Sequence, residues 1–163
     1  MKRIKISALC FLFVFCFAFL LFGMIFYHAD APTYFQEHSS ELIAVKDYVL
    51  SYAKADTTEH DTERTVFLVR ADGKLVLQSK NEELSSGGQL SDALSAVRQC
   101  GFDHIWVEGE DVIFWNDETH TYGLLYSDSP KQKVRAMEKD WYEDMEYRML
   151  TSTVCEIGQL SAR

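Results

Sequence analysis

The chain lacks any surplus of basic charge. Sixteen Lys and Arg stand against 25 Asp and Glu, a formal net charge of −9. From Thr33 onward acidic residues outnumber basic ones nearly two to one. Such a surface repels phosphate backbones, which argues against nucleic acid as a partner class. Several catalytic signatures are also missing: there is no G-x-S-x-G, Walker A, G-x-G-x-x-G, C-x-x-C or H-E-x-x-H, and no EF-hand spacing. Those absences remove the hydrolase elbow, the phosphate-cradling loop, the dinucleotide fingerprint, the dithiol redox pair and the helical zinc site. Asn81 and Asn116 both lack the hydroxyl residue of a glycosylation sequon, and no internal repeat or low-complexity tract is visible.

What the chain does have is one long apolar run. From Ile6 to Tyr27, 22 residues carry no charged side chain and no proline. At 1.5 Å per residue a helix of that length covers about 33 Å, enough for a hydrocarbon core of about 30 Å. Lys2, Arg3 and Lys5 precede the run, and the first charge after it is Asp30. Positive flanks stay cytoplasmic. The expected topology is therefore a cytoplasmic stub (1–5), a single transmembrane helix (6–27) and an extracytoplasmic domain (28–163). Ala29-Asp30-Ala31 also fits a signal-peptidase site, so cleavage after Ala31 is the rival reading. Two features oppose cleavage: the run exceeds the usual length of a signal core, and Pro32 would adjoin the scissile bond.

An apolar helix followed by a helix and an antiparallel sheet is similar in outline to pilin-like subunits. The glycine-flanked processing site and the acidic residue of that family have no counterpart in Met1–Ile6, so no role is transferred from it.

Behind the anchor, about 130 residues suffice for one domain with a hydrophobic core. Leu42, Val45, Val49 and Tyr52 recur at helical spacing, with Ser39 or Ser40 placed to cap an inner start and Tyr34 marking an earlier one. Thr65–Arg70 and Leu75–Gln78 read as strands around an Asp72-Gly73 type I′ turn, and 80–89 as a loop. Leu90, Leu94 and Val97 mark a short helix, capped by Ser91 and closed by Gly101 and Phe102 in a Schellman end.

Asp103–Glu108 and Asp111–Asn116 form a hairpin about a Gly109-Glu110 type II′ turn, pairing Val107 with Val112. Thr121–Ser127 returns as a third strand, with Trp115 expected opposite Tyr122 and Ile113 opposite Leu124. Val134, Met137, Trp141 and Met145 fit a helix, and Tyr147–Ile157 a strand. The expected fold class is α+β: the transmembrane helix, then a small domain with an antiparallel sheet and two or three helices.

Four groups of residues are candidates for chemistry. That register puts Trp106, Trp115, Tyr122 and Tyr126 on one face, either a ligand platform or core beneath a helix. Two acidic, His-bearing turns contain His60, Asp61, Asp117 and His120, which could hold a cation. Ser51 and Lys54 match S-x-x-K without its companion motifs. Cys10 and Cys16 lie in the membrane run, leaving Cys100 and Cys155 as the exported thiols and the candidate disulfide; Cys100 also stands four residues before His104.

No cofactor is implied. Two functions stay open: a membrane-anchored extracytoplasmic binding or interaction module, such as an accessory subunit of a membrane complex with a protein partner, or a small exported enzyme assisted by a metal. The module is preferred because no catalytic constellation rises above chance spacing.

Overall fold

The computed structural model describes residues 31–55, 64–84, 87–140 and 145–158. The apolar run, Trp141, and His60 and Asp61 lie outside them. The chain divides into two compact units, Met1–Tyr34 and Phe35–Arg163, and the second carries an α+β fold. Among the described residues three helices, α1 (Ala31–Ala55), α2 (Gly88–Gln99) and α3 (Pro130–Asp140), accompany eight strands. No described helix is long and apolar enough to cross a membrane.

The strands are β1 (Thr65–Val69), β2 (Leu75–Leu77), β3 (Glu82–Leu84), β4 (His104–Glu108), β5 (Asp111–Trp115), β6 (Tyr122–Tyr126), β7 (Glu146–Met149) and β8 (Val154–Gly158). They form one sheet in the order β3-β2-β1-β4-β5-β6-β8-β7, and every neighbouring pair is antiparallel. The sequence α-β-β-β occurs twice, and the two meanders meet through β1 and β4. No repeat in the amino-acid sequence announces this.

Side chains alternate across the sheet, so two layers form. One face bears Trp106, Ile113, Trp115, Leu125, Cys155 and Ile157, and α3 closes it with Val134 and Met137. The other bears Phe67, Ile105, Phe114, Leu124 and Tyr126. Tyr52 of α1 meets Phe67 edge-on at 5.8 Å, and Phe35 lies 6.5 Å from Tyr126. Phe102, just beyond α2, packs on Phe114 and stacks on Tyr122. Covering both faces explains why the central strands are apolar throughout rather than alternating.

The local devices read in the sequence hold in several places. Leu42, Val45 and Val49 form the buried stripe of α1; the non-helical residue at the kink inside α1 is His38, so the inner start falls there and not at Ser39 or Ser40. At the end of α2, Gly101 N–H donates to Arg98 O and Phe102 N–H to Val97 O, the paired bonds of a Schellman end. The β4–β5 hairpin has the expected register, Val107 opposite Val112 and Glu108 opposite Asp111. Gly109, at φ 61°, takes the first turn position, which a side chain would resist.

Five further expectations are corrected. Residues 82–84, read as loop, form the edge strand β3, paired through Leu75–Leu84. The β1–β2 turn is one residue longer than type I′: Arg70 N–H donates to Lys74 O, and Gly73 N–H returns to Arg70 O. Gly87, rather than Ser91, caps α2. The Tyr147–Ile157 strand is two strands joined by a turn, in which Thr151 Oγ1 accepts from Thr153 and Val154 N–H.

The fifth correction is the β5–β6 register. Trp115 faces Gly123 and Ile113 faces Leu125, one residue from the expected pairing. A one-residue slip moves every side chain of the strand to the other face. The connection has room for the extra residue because His120 adopts φ 53°, while Asn116 ties the two strands: its N–H donates to Tyr122 O and its Oδ1 accepts from Tyr122 N–H.

Candidate functional site

The register decides what becomes of the aromatic patch. Trp106 and Trp115 stay together on the α3 face, ring centroids 5.5 Å apart. Tyr122 and Tyr126 lie on the opposite face, under α1 and Phe102. All four are buried, so the described domain presents no single four-ring platform.

In place of that platform the chain assembles a mixed cluster on the α3 face. His120, from the β5–β6 turn, lies 4.1 Å from the Trp106 ring and 5.3 Å from Trp115. His104, at the start of β4, meets His120 edge-on at 6.1 Å. The Arg64 guanidinium sits 3.7 Å over the Trp106 ring, a cation held against the negative face of an indole. Arg64 Nε also donates to Glu108 Oε1. Lys133 of α3 donates to Glu108 Oε2 at 2.5 Å and lies 3.3 Å from Asp111 Oδ2. Four charged side chains, Arg64 just before β1, Glu108 of β4, Asp111 of β5 and Lys133 of α3, thus form one network at the rim of the tryptophan core.

Electrostatics in the cluster follow from this packing. Burial alone would push the Glu108 carboxyl up, but hydrogen bonds from Lys133 and Arg64 outweigh it and hold the group below its ordinary value. Burial pulls the His120 imidazole down, and the nearby His104 and Arg64 add to that, with Asp117 and Glu118 partly offsetting. A histidine whose folded value is depressed favours the neutral form. Its contribution is complete above the unfolded value of about 6.5 and is lost as pH falls through the folded value. The melting temperature is therefore expected to drop from pH 7.5 to pH 5.5. His120→Asn, which tolerates the left-handed backbone, should flatten that drop; an unchanged slope in the variant refutes the assignment.

The remaining candidates divide. Asp117 caps its own turn, accepting Thr119 N–H at 2.8 Å, and lies near His120, but no group of three His, Cys, Asp or Glu side chains could hold a metal ion among the described residues. Ser51 Oγ donates to Asp47 O, and Lys54 ion-pairs with Glu110 across to the β4–β5 turn. The S-x-x-K residues are thus engaged elsewhere. Gly101 turns the chain between Cys100 and His104, and they diverge.

Cys100 and Cys155 are both free and buried, which corrects the expected disulfide. Cys155 sits in the α3-side core. Cys100 caps α2 and lies near Tyr126 and the acidic side chains of α1 on the other side of the sheet. The compartment argument carried no information about faces. Burial pushes the two thiols up to about 11 and about 12 respectively, and thiolate supply falls accordingly. With Cys10 and Cys16 replaced by serine, native protein should therefore resist iodoacetamide for hours, and both remaining thiols should label after denaturation. Fast labelling of either in the native state would contradict this burial.

One further buried group carries charge. Glu156 of β8 is 1 % exposed. It accepts from Tyr122 Oη at 3.0 Å and from Arg148 Nε at 2.5 Å.

Sequence reasoning missed Arg64, Glu108, Lys133 and Glu156 as interacting groups. The signal for the first pair is faint: Thr65 opposite Val107 implies Arg64 opposite Glu108, but only once the β1–β4 pairing is known. Comparison with protein-family models, with curated proteins and with solved structures finds no match.

Proposed function

We propose that this chain is a single-pass membrane-anchored interaction module, its N-terminus cytoplasmic and its α+β domain outside. The observation that carries the reading is the uncharged Ile6–Tyr27 run with Lys2, Arg3 and Lys5 ahead of it. Two features of the domain support it. Trp106, Trp115, Tyr122 and Tyr126 serve the core, and among the described residues the charged side chains beside Trp106 are tied to one another in ion pairs. An acidic exterior suits a basic surface on a partner protein.

The test is topology and partners together. Protease added to intact cells should digest the domain and spare the N-terminus, and the mature mass should include residues 1–31. A chain beginning at Pro32, or a domain protected from protease, sinks the anchored reading. Recovery of a reproducible partner with the full-length chain from membranes supports the module. Stoichiometric metal in the purified chain, lost together with an activity on chelation, would favour the exported-enzyme alternative.

A further inference from the structure

The two edges of the sheet are not alike. Edge strands present unpaired backbone groups and invite another strand unless something discourages it. The β3 edge is three residues long, two of them glutamate, and Glu83 is ion-paired to Lys74 at 2.8 Å. A two-fold pairing centred on either glutamate sets like charges opposite one another, which disfavours it.

The β7 edge has the opposite character. Its residues are Glu146, Tyr147, Arg148 and Met149, the first three exposed. Tyr147 is one of two large exposed hydrophobic residues among those described. Leu150 N–H donates to Val154 O. By antiparallel alternation, Arg148 and Glu146 also point their backbone groups inward at β8, while Tyr147 and Met149 point theirs away from it, on the side where no described strand pairs.

We propose that the β7 edge pairs with β7 of a second copy of this chain, two-fold and antiparallel, centred on Tyr147. In that register Tyr147 faces its twin as a hydrogen-bonded pair, each N–H donating to the other's carbonyl. Glu146 then stands opposite Arg148 of the second copy, and Arg148 opposite its Glu146. These are the non-hydrogen-bonded positions, where side chains approach most closely. The charge order Glu-Tyr-Arg is self-complementary about its centre, which is what an isologous interface requires. Arg148 is 53 % exposed while its Nε holds Glu156, so its positive charge stands at the surface of this edge.

The pairing does not depend on the function proposed above. It is short, below the roughly 1,200 Å² of a stable soluble dimer, so it is weak in dilute solution. Only the expectation that a shared bilayer strengthens it rests on the anchored reading.

The test uses the full-length chain in cells, with Cys10 and Cys16 replaced by serine. Tyr147→Cys should give a disulfide-linked dimer under mild oxidation, because hydrogen-bonded antiparallel neighbours lie about 5.5 Å apart at Cα, within disulfide reach. Glu83→Cys on the opposite edge is the control and should stay monomeric. Glu146→Lys, on an exposed side chain, should lower the Tyr147→Cys yield by about tenfold, since two exposed charge pairs change sign. Native circular dichroism of each variant checks the fold. No cross-link at position 147, equal yields from positions 147 and 83, or an adduct containing a different protein overturns the proposal. Membrane fractionation of the same cells reports on the anchor separately.

Discussion

Gly123→Ala is expected to destabilise the domain by about 3 kcal/mol, and Gly123→Val to prevent folding. A Cβ at position 123 would lie 2.6 Å from Trp115 Cε3 and 2.8 Å from the Phe114 carbonyl oxygen. The first neighbour is a fully buried indole, wedged against Trp106 and His120. The second is backbone in the middle of the sheet. Neither can retreat by the needed half ångström or more without breaking the packing of both sheet and α3. Urea titration followed by circular dichroism measures the effect. The result also reads the register. Had Trp115 paired with Tyr122, Gly123 would point to the other face, and alanine there would not meet the indole. A Gly123→Ala variant within about 1 kcal/mol of the parent would overturn the pairing described. Adding Trp115→Leu should recover part of the loss, because the ring that blocks the new methyl is gone.

Arg148→Met should cost about 3 kcal/mol. The guanidinium is half exposed, but its partner Glu156 is buried, and removing the cation leaves a carboxylate in the sheet that still accepts from Tyr122 Oη but has lost its counter-charge. Breaking one side of a buried pair is expensive because of the charge left behind, not because of the attraction lost. The discriminating measurement is a double-mutant cycle. In a Glu156→Gln background, Arg148→Met should cost under about 1 kcal/mol, since a neutral amide needs no counter-charge. Equal costs in the two backgrounds would mean that Arg148 acts through packing of its stem rather than through the ion pair.

Elements were legible where a local rule sufficed. The stripe Leu42, Val45, Val49 follows from helical period alone, the Schellman end from Gly101 and Phe102, and the β4–β5 register from a two-residue turn that leaves one way to pair. Legibility failed where a distant neighbour set the outcome. β3 has only three residues, two of them glutamate, and exists because β2 offers it an open edge. The Tyr147–Ile157 alternation looked continuous because Thr151 and Thr153 favour strands, yet the Thr151 hydroxyl captures two backbone N–H groups and turns the chain.

The candidate site failed for the same reason, at higher stakes. Trp106, Trp115, Tyr122 and Tyr126 were sorted by counting across a turn. His120 in the left-handed region adds one residue to that count and sends both tyrosines to the other face. Cys100 and Cys155 were joined by compartment, which is indifferent to an intervening sheet. By itself the amino-acid sequence determined the acidic balance, the apolar N-terminal run, the α+β class and the positions of most helices and hairpins, because each of these depends on residues within a few positions of one another. Only the tertiary structure decided which side chains share a face, that Arg64, Glu108, Lys133 and Asp111 form one network, and that β7 and β3 end the sheet with opposite chemistry. Those are properties of strand order and register, and register turns on single residues such as His120 and Gly123, whose effect is felt a full strand away.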